Sequence, residues 1–134
     1  MDARLHPEKA LGIVLGDSHV IRNAGGLGAD SLRSLVISQQ LLGTEEIYIV
    51  HHTDCGMLTF TNDVIHGVIQ KNLGQDASKI DYLPFPDLDQ SVIDDVNAVA
   101  ASKLIKPGTP ITGYVYDVNT GLVKVVATAE TPVA

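Results

Sequence analysis

An imidazole and a thiol stand close together in one short stretch, His52-Thr53-Asp54-Cys55, and Cys55 is the only cysteine among 134 residues. They follow an apolar run, Ile47-Tyr48-Ile49-Val50, and precede Gly56. A histidine and a cysteine where a strand gives way to a glycine turn form half of a site for a soft-to-borderline metal such as zinc. Zinc takes three or four ligands, so the pair needs at least one more from elsewhere.

The elements that must hold this pair follow from the spacing of apolar residues. Short apolar runs alternate with amphipathic ones, the pattern of an α/β protein with a mainly parallel sheet flanked by helices. Val20-Ile21, within residues 17–23, reads as a short buried strand that ends in the turn Ala24-Gly25-Gly26-Leu27-Gly28. Asp30 or Ser31 then caps a helix with Leu32, Leu35, Val36 and Leu42 on one face and Gly43 as its stop. Glu46 to Val50 is apolar enough for a parallel strand covered on both sides. A second helix starts at Thr61 or Asn62, carries Ile65, Val68, Ile69 and Leu73, and stops at Gly74. A third opens at Asp89 or Ser91 and runs through Leu104 to Pro107-Gly108. Ile111 to Ala127 reads as a hairpin turning at Asn119-Thr120-Gly121. One domain, residues 1–127, is expected, with a flexible tail over 128–134.

Composition sets limits on function. With 45% hydrophobic and 19% charged residues the chain is globular, and one domain is the natural count at this length. No apolar run approaches the roughly 20 residues needed to cross a bilayer, so no membrane role is expected. A net charge of −7 and the lack of a basic stripe exclude a nucleic-acid partner. One cysteine forms no disulfide within the chain and fits a reducing compartment, the cytosol by default; no presequence is visible, although an organellar one is compatible with the rest.

Three ordered motifs resemble the β-carbonic anhydrases, whose signature is Cys-x-Asp-x-Arg at one strand end and His-x-x-Cys at another. The second half stands as His52-Thr53-Asp54-Cys55, and the first survives as Asp2-Ala3-Arg4, its cysteine falling one position before Met1. Between them, Gly16-Asp17-Ser18-His19-Val20-Ile21-Arg22-Asn23-Ala24-Gly25-Gly26 matches the family's strand-and-loop segment. Similarity continues through Ser38, Leu42-Gly43-Thr44 and Gly113-Tyr114-Val115-Tyr116-Asp117-Val118.

The resemblance implies reversible hydration of CO2 to bicarbonate by zinc-bound hydroxide, in a homodimer or higher homo-oligomer. His52 and Cys55 would be zinc ligands, Asp2 would accept a hydrogen bond from the hydroxide, and Arg4 would keep Asp2 ionised. Asn23, Ala24, Gly25 and Met57 would line the substrate pocket. Residues two apart on an extended segment face the same way, so Asp2 could instead become the third ligand in place of the cysteine. A liganding Asp2 could not also orient the hydroxide, and reduced activity follows. The family's strand ahead of Asp2 lies mid-sheet, so the sheet closes differently here or the chain is a shortened one. Two rivals stand beside this reading. One is a non-catalytic relative serving as a binding or oligomerisation module; the other is a hydrolase of a CO2-like molecule, COS or CS2. His51 points to the face opposite His52 and reads as packed, Asp54 as a residue of the turn, and His6, His19 and His66 as non-catalytic.

Overall fold

The computed structural model describes residues 1–133. Three strands, β1 (Ile47–His52), β2 (Pro110–Tyr116) and β3 (Val123–Glu130), form one sheet in that order. β1 runs parallel to β2, Ile47 facing Ile111 and His52 facing Tyr116, while β2 and β3 form the expected antiparallel hairpin. The class is α/β, and this small sheet is mixed, with one parallel and one antiparallel pair.

Four helices accompany the sheet among the described residues: α1 (Pro7–Leu11), α2 (Leu32–Leu42), α3 (Asn62–Leu73) and α4 (Leu88–Ala100). The core joins α4 to one sheet face. Val92, Val96 and Val99 meet Ile47, Ile49, Ile111 and Val115, and Leu32, Leu35 and Val36 of α2 close the edge. The approach is so close that a β-carbon on Gly113 would stand 2.4 Å from Val92 Cγ1 and 2.6 Å from Val96 Cγ2. Glycine in β2 is the condition for α4 lying flat on the sheet.

Several expectations are corrected here. Residues 17–23 form no strand. The β1 odd-numbered residues bond to β2, a ladder that Thr53 N–H continues to Tyr116 O at 2.9 Å, so Tyr48 and Val50 turn their backbone groups to the opposite edge. That edge borders a groove of about 780 Å³ whose far wall includes Ser18 to Arg22. A strand needs a ladder partner, and across the groove Val20-Ile21 has none. The third helix starts earlier, capped by the Asp87 side chain on Gln90 N, and ends at Ala100, short of Leu104. Leu42, expected on the buried face of α2, is exposed. α2 starts without a side-chain cap, whereas Thr61 caps α3 as expected. The tail is shorter than 128–134, because β3 continues to Glu130 and Thr131 is buried, its hydroxyl accepting from Thr109 N and donating to Lys106 O. Ala134 of that tail lies outside the described residues.

Candidate functional site

β1 delivers its last residue, His52, to the mouth of the site, and the turn that follows carries Cys55. Thr53 pins the turn to the end of β2, donating its N–H to Tyr116 O and accepting Val118 N–H at its hydroxyl. Asp54 then takes a left-handed conformation, φ 53°, uncommon outside glycine and tolerated best by Asn and Asp. Cys55 is buried beside Met57 and Phe85.

The His52 ring is oriented by its neighbour. Its Nδ1 lies 2.7 Å from the Thr53 carbonyl, which can only accept, so Nδ1 carries a proton and in the neutral ring Nε2 keeps the lone pair. Nε2 looks toward Asp2 Oδ2 at 3.7 Å. In the neutral ring that lone pair faces a carboxylate oxygen. A lone pair and a carboxylate facing each other favour a cation, and the buried thiol on the same turn is a soft donor, so His52 and Cys55 suit zinc as two of the three or four ligands it takes.

Asp2 is committed elsewhere. Arg4 grips it with Nε on Oδ1 and Nη2 on Oδ2, both 3.0 Å, and adds its backbone N–H to Oδ1 at 2.8 Å. These bonds, the side-chain ones foremost, hold the Asp2 carboxyl well below the usual carboxylate range and raise Arg4 above its ordinary value. The other side of the guanidinium binds Asp54, with Nη1 on Oδ2 at 2.8 Å and Nη2 on the backbone carbonyl at 3.0 Å. Arg22 steadies the same loop by donating to the carbonyls of Asp2 and Leu5. Asp2, Arg4, His52 and Asp54 therefore converge, and Cys55 follows next in the turn. Among the described residues no three of His, Cys, Asp and Glu are grouped as a ready metal cage, and both Asp2 oxygens lie in the arginine fork.

The loop at residues 23–28 closes one side. Asn23, expected to line the pocket, spends its side chain stapling this loop, accepting Leu27 N and donating to Leu27 O and Ser31 Oγ. Ala24 is exposed, while Gly25 is buried, and a β-carbon there would stand 3.2 Å from Met57 Cγ and from Phe85 Cε1. Beneath the loop is a network that sequence reasoning missed. Asp95 of α4 accepts Gly28 N at 2.6 Å and Ala29 N at 2.8 Å and lies 3.3 Å from His51 Nε2. His51 Nδ1 meets Ser91 Oγ at 2.8 Å, and the His51 ring stacks on Phe85. His51 is thus packed, as expected, but its hydrogen bonds tie β1, α4 and the loop together. One signal was available: Asp95 lies on the buried Val92-Val96-Val99 stripe of α4, where an acid needs partners.

The profile of the carbonic anhydrase family matches residues 1–83. β-Carbonic anhydrase 1 of Mycobacterium tuberculosis is 44% identical over 124 residues, covering 90% of this chain and 74% of the relative. A carbon disulfide hydrolase of Saccharolobus solfataricus is 36% identical over 144 residues, covering 90% of this chain and 71% of the relative. The crystal structure of a carbonic anhydrase from Streptococcus mutans superposes with a TM-score of 0.91 at 49% identity, over 95% of this chain and 77% of that one. The chain belongs to the β-carbonic anhydrase family and is a carbonic anhydrase-like lyase.

Proposed function

We propose that this chain interconverts CO2 and bicarbonate on a zinc ion for which His52 and Cys55 are two of the three or four ligands that zinc takes. The observation that carries the proposal is the Asp2 carboxylate, gripped by Arg4 and set 3.7 Å from the free Nε2 of His52. Zinc, when bound, supplies a Lewis acid that makes water acidic enough to lose a proton near pH 7. The chain's own residues do the rest. Asp2, kept ionised by Arg4, offers Oδ2 as a hydrogen-bond acceptor that fixes the orientation of the attacking water. Thr53 holds His52 in the tautomer that leaves Nε2 free. Met57, Phe85 and Leu27 supply an apolar wall against which a small nonpolar substrate can lie. Because both Asp2 oxygens already serve Arg4, the acceptor role is favoured over a third-ligand role.

Metal content and stopped-flow CO2 hydration test this together. Chelated protein refolded with excess zinc should retain the metal, and it should hydrate CO2 above the buffer rate. Cys55→Ser should lose both. Asp2→Ala should keep zinc and lose rate; loss of zinc instead would make Asp2 a ligand. Absence of hydration with zinc retained would favour the non-catalytic reading. The relatives that are carbon disulfide hydrolases motivate a second substrate class, and sulfide release from CS2 or COS decides it. A homo-oligomer belongs to the same reading, since Tyr48 and Val125 leave one sheet face without a helix over it. Light scattering in solution checks it, and a monomer would reject it.

A further inference from the structure

We infer that Asp54 is a positioning residue, holding Arg4 from the side opposite Asp2 so that the Asp2 carboxylate stays aimed at His52. The inference rests on the functional reading above but concerns a residue to which that reading gives no role beyond the turn.

The geometry is specific. Arg4 presents its Nε and Nη2 to Asp2, and Nη1 would be left to water but for Asp54 Oδ2 at 2.8 Å. Nη2 also reaches the Asp54 carbonyl at 3.0 Å. The positive φ of Asp54 belongs to the tight turn in which its carbonyl and its carboxylate both reach the guanidinium. The planar fork is thus held along two edges, by two carboxylates and a carbonyl, the bidentate geometry that suits arginine and not lysine.

The connection also has structural reach. Arg4 is on the loop at residues 2–5, whereas Asp54 lies between the two candidate metal ligands. Arg4 and the longer His52–Asp2 approach are the polar links between these two segments. Asp54 therefore registers the loop against the turn. Its side chain is 79% exposed, so the effect is one of aim rather than of fold stability.

Two explanations of an acid at position 54 make different predictions. If Asp54 serves only its left-handed turn, glycine should replace it without consequence, since glycine adopts that φ freely. If it holds Arg4, glycine should fail. The test is nitrogen-15 NMR of the arginine side chains, of which the chain has three, Arg4, Arg22 and Arg33. In the parent protein Arg4 should show hindered rotation about its Nε–Cζ bond, with Nη1 and Nη2 resolved. Asp54→Gly should speed that rotation by roughly two- to fivefold, the size expected for one exposed ion pair, and Asp54→Asn by less, with Arg22 unchanged. Arg4 rotation unaltered in Asp54→Gly, or altered only in Asp54→Ala where the turn is strained, overturns the inference. The readout needs no enzymatic turnover. A chain inactive toward CO2 would sink the functional reading and leave this one standing. Where hydration is measurable, Asp54→Gly should lower kcat with KM unchanged, and a change confined to KM counts against it.

Discussion

Gly26 is the point at which the loop over the site touches the strand that carries His52, and replacing it with alanine should separate two costs cleanly. Its φ is +70°, and a β-carbon there would stand 2.4 Å from the Val50 carbonyl oxygen. An L-residue in the left-handed region costs roughly 1–2 kcal/mol. The steric part is additional. Ordinary contact begins near 3.4 Å, so backbone must move by about 1 Å, the difference between 3.4 and 2.4. Val50 cannot give way easily, because Ile49 and His51 on either side are laddered to β2. Overpacking of this kind costs about 1–3 kcal/mol, for a total of roughly 2–5 kcal/mol, a large share of a small domain's stability. Gly12 is the matched control, with φ +67° and nothing within 4 Å of its β-carbon position. Gly12→Ala should show the conformational cost alone. Urea unfolding of metal-chelated protein, at constant m-value, measures both. The reasoning fails if Gly26→Ala is no more destabilising than Gly12→Ala.

Three other predictions concern separate parts of the molecule. Asp95→Ala leaves the N–H groups of Gly28 and Ala29 and the His51 ring without their buried acceptor, so urea unfolding should record a loss of about 3–5 kcal/mol, and Asp95→Asn a smaller one. His52→Ala should abolish stoichiometric zinc uptake measured by elemental analysis, while His66→Ala, on a ring bonded to the Ile80 carbonyl, should not change it. Asp81 is held below its ordinary 3.8, first by the Asn62 amide and then by Leu83 N–H. A depressed carboxylate stabilises the fold above that value and loses its contribution as the pH falls and it protonates. Asp81→Asn should accordingly flatten the acid limb of stability between about pH 5 and pH 2, and an unchanged limb would reject the assignment.

Where local chemistry decides structure, the sequence was readable. Thr61 caps α3, Gly43 and Gly74 end helices with left-handed φ, and Gly121 turns the hairpin, each as residue type and spacing require. The pair His52 and Cys55 was legible for the same reason, because one strand end and one turn contain both. Errors arose where a distant partner decides. Val20-Ile21 has strand composition, yet strand is a property of pairing, and the groove beside β1 separates it from any ladder. Leu104 has the helical spacing, but α4 ends at Ala100, before the chain turns toward buried Ile105. Thr128 to Thr131 looked like a tail because their polarity hides the fact that Thr109 is waiting for them. The buried stripe of α4 marks Asp95 as an acid in need of partners, but which donors meet it is not legible locally, since they lie 66 and 67 positions away.

The same distinction explains how Asp2 is assigned. Sequence position alone offers Asp2 two incompatible jobs, acceptor or ligand, because it stands two residues from Arg4 and in line with the metal site. The bonds of Arg4 support the acceptor role proposed above. An Asp2 that turned to a metal would surrender two side-chain bonds from Arg4, and the guanidinium would fall back on Asp54 alone. Arg4 with two carboxylates is close to saturated; with one it has donors to spare. The bonded arrangement therefore resists the ligand role from the arginine's side as well as from the aspartate's. Asp54, by holding Arg4 from its other side, keeps the guanidinium in place beside Asp2.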